Sequence, residues 1–139
     1  MRGGVALLFN VAAVIIALSS SVEGADVAQT MPADQPTVVT STPAIGAKIS
    51  PGPFLLSATF DRLMMNGSYS FVQVSKNTYP DCKGQPARSR DGRTFTLRCN
   101  ARAGRQYEVW FNRPPYMNFK SIRGATAKPI RLSVACVCR

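Results

Sequence analysis

The chain has 139 residues, 17 Lys and Arg against 7 Asp and Glu, no histidine, and a formal net charge of +10. That length suits one ordinary domain with a real core. The missing imidazole excludes the common catalytic triads and a divalent copper site of the usual kind.

The chain opens with Arg2, runs apolar from Val5 to Leu18 apart from Asn10, and then turns small and polar through Gly24. A positive start, an apolar stretch and small residues at a cut describe a secretory signal peptide over residues 1–24. Val22 and Gly24 suit the −3 and −1 sites, so cleavage is expected between Gly24 and Ala25. The apolar run is short for a membrane span of about 20 residues, so no stable membrane insertion is expected after cleavage. The expected location is periplasmic or secreted. The cut removes one base, Arg2, and one acid, Glu23, and leaves the charge unchanged.

Residues 25–36 are small, polar and proline-bearing, and read as a flexible leader; residues 37–139 form the domain. A β-branched run at 37–42 with prolines on both sides predicts an edge strand. A turn region rich in Gly and Pro follows. A strand at 54–60 is then expected to turn Phe54, Leu56, Ala58 and Phe60 inward. Residues 69–74 predict a third strand. Residues 75–92, with Pro80, Gly84, Pro86 and an Asp91-Gly92 turn, predict a long irregular connection with room for a short strand. Residues 93–99 alternate, with Phe95, Leu97 and Cys99 on one face. Tyr107, Val109 and Phe111 alternate with Glu108 and Trp110, which places Trp110 outward. After a long loop, Ile130, Leu132, Val134 and Cys136 share one side of a last strand. No sustained 3.6-residue apolar period follows the signal, so the expected fold is all-β: an antiparallel β-sandwich of about seven strands.

Cys82, Cys99, Cys136 and Cys138 all survive processing, and an even count in an exported chain predicts disulfides. Three pairings are open. A bond from Cys82 to Cys99 would contribute roughly 3 kcal/mol on the chain-entropy account. Cys136-Val137-Cys138 also suits soft-metal or redox use when reduced, with structural bonding the expected role.

Four ordered segments, "VVTSTPAIGAKISPGPFLLSATFDRLM", "DGRTFTLRC", "AGRQYEVWFN" and "GATAKPIRLSV", resemble the bacterial immunoglobulin-like domain of the SbsA type. That resemblance implies a seven-stranded sandwich serving as a spacer or interaction module, and it brings no catalytic residues. Tyr107, early in its strand after Gly104, resembles a tyrosine corner whose hydroxyl bonds to backbone at 100–103. The methionine of the "FD-x-x-M" signature falls on Met64, which implies packing at the end of the sandwich.

Periplasmic copper carriers of the CopC type share a similar sandwich and use histidines for the divalent ion and methionines for the monovalent one. Without histidine, the copper alternative reduces to a Cu(I) site from Met64, Met65 and Met117, because thioethers suit that ion.

Arg88, Arg90, Arg93, Arg98, Arg102 and Arg105 fall within 18 positions. Arg88, Arg90, Arg93 and Arg98, joined by an outward Trp110, are expected to form a basic surface for an anionic envelope component or a protein partner. No dense Lys/Arg run supports nucleic acid. The expected function is an exported binding or structural module with no catalysis and no cofactor; the alternative is a small Cu(I) carrier.

Overall fold

The computed structural model describes residues 35–138; the signal peptide, its cleavage site, Arg139 and the leader up to residue 34 lie outside them. Short alternating runs broken by Gly and Pro fold into eight strands: β1 Val38–Thr42, β2 Lys48–Ile49, β3 Gly52–Phe60, β4 Phe71–Gln73, β5 Asp81–Arg88, β6 Thr94–Ala101, β7 Gln106–Phe111 and β8 Ile130–Cys136. They form two four-stranded sheets, ordered β1-β3-β6-β5 and β2-β8-β7-β4. Each ladder is antiparallel except the short parallel contact of β2 on β8. The order is that of the immunoglobulin-like sandwich, whose strands A-B-E-D face C-F-G. The extra strand over the expected seven is β2, two residues inside the Gly/Pro turn region.

The alternation expected in β3, β6, β7 and β8 is the alternation seen. Leu56, Ala58, Phe60, Phe95, Leu97, Val109, Phe111, Leu132 and Val134 are buried, and Phe54 is half-buried. β5 departs from expectation, because an eight-residue strand occupies the middle of the segment read as irregular. It lies at a sheet edge and is bulged between Lys83 and Ala87, with Gly84 at φ 76°. Only an edge accommodates Pro86, which has no amide to give a ladder.

The centre of the core is Phe119, which belongs to no strand. Its ring lies 4.9 Å from Phe60 and 5.3 Å from both Phe71 and Phe95, and no part of it reaches solvent. Buried Asn112 holds it there: Asn112 Oδ1 accepts from the Phe119 amide, and Nδ2 donates to the carbonyls of Phe119 and Ala127. The loop after β7 is therefore a packed part of the sandwich.

Candidate functional sites

Among the described residues, no three His, Cys, Asp or Glu side chains gather as a metal would require. The sulfur donors are spread. Met64 is fully buried in the aromatic core, and its backbone bridges to Ser121. Met65 follows with its amide donating to the Lys120 carbonyl and its side chain 38% exposed. Successive residues of an extended chain point to opposite sides, so the two thioethers face apart. Met117 is half-buried further along the partner segment, beside Asn118, whose amide donates to Ser70 Oγ. Met64 packs in the core as the resemblance implied, with its thioether turned away from that of Met65.

Cys82 and Cys99 face each other across β5 and β6 and are bonded, with Cα atoms 3.9 Å apart. Their loop ties the bulged edge strand to the centre of its sheet. Cys136 and Cys138 are unbonded, which corrects the expectation of a fully paired set. Cys136 is buried in a small cluster with Ala101 and Tyr107, on the sheet opposite the formed disulfide. Cys138 is exposed beyond the end of β8, with its Sγ 3.5 Å from where a Cβ on Gly104 would stand. The chain around these thiols is pinned to the β6–β7 turn. The Cys136 amide donates to the Arg105 carbonyl at 2.8 Å, and the Gly104 amide donates to the Cys136 carbonyl at 3.1 Å.

Tyr107 is buried at the start of β7, and its hydroxyl accepts from the Arg102 amide at 2.8 Å. This is the tyrosine corner, with the polarity reversed from a bond to a carbonyl. Its ring lies 6.4 Å from Phe54, and together they close this end of the core.

The expected arginine surface divides. Arg88 is turned inward: its guanidinium donates to the Met64 carbonyl at 2.9 Å, its Nε is enclosed, and it packs over Gly92. Gly92 is buried at φ 70°, and a side chain there would collide with Arg88 and Leu63. Arg93 is exposed and donates to the Asp61 carbonyl, while Arg90 is exposed in the β5–β6 turn. Arg98 stands on the outer face of its sheet, opposite Leu55 and Lys83. Trp110 is half-buried on the outer face of the other sheet, so it cannot share a patch with Arg98. β6 and β7 are neighbours in sequence but not in a sheet. The Trp110 indole instead donates to Glu108 and lies 5.5 Å from Arg113. Glu108 also accepts from Arg131, and this bond, with that from Trp110, holds its carboxyl below the usual range.

Asp61 acts as a clamp. It accepts from the amide and hydroxyl of Thr37 and pairs with Arg62, which holds its carboxyl at about 2. The bonds tie the start of β1 to the end of β3.

No family model matches the chain, and no curated protein matches it. The immunoglobulin-like resemblance therefore rests on the fold, with nothing to narrow it to the SbsA type. Among solved structures, the chain is similar to CopC from Methylosinus trichosporium OB3b, with a TM-score of 0.53 and 16% identity over 74% of this chain and 94% of that one. At that identity the likeness shows the fold: a β-sandwich of CopC shape.

Proposed function

We propose that the chain is an exported sandwich that carries a soft metal ion, Cu(I) being the cargo, and that it acts by binding without catalysis. One observation carries the reading. Two unbonded thiols, Cys136 and Cys138, flank Val137 at the end of β8 in a protein shaped like CopC. Thiolate is a soft ligand suited to Cu(I), and the absence of imidazole leaves sulfur as the donor class. Met65, the exposed thioether, follows the Phe60 end of β3, whereas Cys136 packs against Ala101, which pairs with Gly52 at the other end of that strand.

The test is a Cu(I) titration of the reduced, anaerobic protein against the coloured chelator bicinchoninate. The protein is expected to withdraw one ion per chain, and the C136S/C138S variant to withdraw none. A wild-type protein that leaves the chelator complex intact, or a double-serine variant that competes equally well, would refute the thiol site. Loss on M65L/M117L instead would return the ion to thioethers.

A further inference from the structure

Lys76, Arg102 and Arg105 line one concavity of about 230 Å³ at the end of the sandwich, together with Asn77, Asn100 and the single acid Asp81. Lys76 comes from the β4–β5 connection, and the two arginines come from the β6–β7 turn. None of the three cations makes a salt bridge among the described residues, where the ion pairs are Asp61–Arg62 and Glu108–Arg131. Three like charges around one hollow repel one another, and an anion seated between them removes that cost.

The backbone beneath them is held. Tyr107 fixes the Arg102 amide, and Cys136 fixes the Arg105 carbonyl. The Tyr79 amide donates to Ser75, and the Glu108 amide donates to the Thr78 carbonyl, which docks the connection onto β7. A fixed backbone brings the three exposed side chains to one hollow, which lowers the cost of gathering them on binding. Two guanidinium forks and an ammonium suit a tetrahedral oxyanion. A single hollow, and not an extended track of cations, matches one phosphate group better than a nucleic-acid backbone.

Tyr79 also lines a second groove, of about 510 Å³, which opens between the edges of β4 and β5 and is walled by Tyr69, Phe71, Pro86 and Tyr116. The two hollows share that ring. We propose that this end of the protein binds a phosphate ester, with the phosphate among Lys76, Arg102 and Arg105 and an apolar or ring-bearing body along the aromatic groove. This site is independent of the copper reading.

The experiment uses metal-free protein, two probes and two variants. Inorganic phosphate and dihexanoyl phosphatidate, below its micelle concentration, are titrated while backbone amide shifts are followed by NMR. Both are expected to move Lys76, Arg102 and Arg105, with the phosphatidate also moving Tyr79 and Phe71 and binding more tightly. K76Q/R102Q/R105Q should lose about tenfold or more in affinity for either probe, as charge-assisted bonds to phosphate are removed. R90Q/R123Q/K128Q removes the same charge from exposed positions elsewhere and should retain binding. R105Q alone guards against misfolding and should weaken binding with the same melting midpoint as wild type. Equal affinity for the two probes assigns the site to free phosphate and overturns the groove's part. Binding of neither probe, or equal loss in the two triple variants, overturns the site altogether. Because no metal is present, these outcomes leave the thiol test untouched.

Discussion

Replacing Asn112 with alanine tests how the loop after β7 is held in the core. Asn112 is fully buried at φ 59°, and its side chain makes three bonds of 2.9 to 3.0 Å to loop backbone. Alanine would leave the Phe119 amide and the Ala127 carbonyl without these partners, while the Phe119 carbonyl keeps its bond from the Ala127 amide. At about 1 kcal/mol or more for each of these two buried groups, the loss is roughly 2 kcal/mol. Asparagine tolerates a left-handed backbone and alanine does not, which adds about 1 kcal/mol. The expected total of about 3 kcal/mol is a large part of the roughly 5–15 kcal/mol typical of a domain. Urea unfolding at pH 7, followed by circular dichroism and by Trp110 fluorescence, should show the midpoint falling with little change in slope. Asn112→Gly should lose the same bonds but relieve the backbone, and recover about 1 kcal/mol relative to alanine. An alanine variant within 1 kcal/mol of wild type would refute the account of the loop. A glycine variant less stable than the alanine one would refute the backbone part.

Met64→Ala should cost roughly 2–5 kcal/mol through the cavity left beside Phe60 and Phe119, and Met65→Ala less than about 0.5 kcal/mol; equal melting shifts for the two would overturn their opposite orientation. Asp61 is held at about 2 instead of 3.8, chiefly by its bond to Arg62. A depressed folded value stabilises above 3.8, and that contribution is lost as the pH falls through 2. The shift corresponds to at most about 2.5 kcal/mol, reduced to about 1–2 kcal/mol because the carboxylate is partly exposed. Asp61→Asn should therefore be destabilised at pH 7 and approach wild type near pH 2 in thermal melts, and a difference that does not vary with pH would count against the clamp.

What could be read from residues alone is what adjacent residues decide. A strand with one face in a core must alternate, so β3, β6, β7 and β8 and their inward residues were legible. So was Tyr107, whose partner lies five residues away. β5 was not, because an edge strand needs no alternating burial and its bulge and Pro86 look like breaks. Phe119 carries no periodic mark either; of the two aromatics in that loop Tyr116 stays exposed, and Phe119 enters the core where Asn112 bonds to its backbone.

The candidate sites divide along the same line. Residue types excluded histidine chemistry and marked sulfur and arginine as the groups to follow, since a ligand's chemistry is a property of the side chain alone. Which of those groups meet is a property of the sheets. Sheet membership put Arg98 and Trp110 on opposite faces of the sandwich and turned Arg88 onto the Met64 carbonyl. It paired Cys82 with Cys99 across a ladder and left Cys136 on the facing sheet, with Cys138 beyond its end. It brought Lys76 beside Arg102 and Arg105, from loops that are separated by a whole strand pair in the chain. Contacts between distant segments follow from register and crossover, and local spacing carries neither.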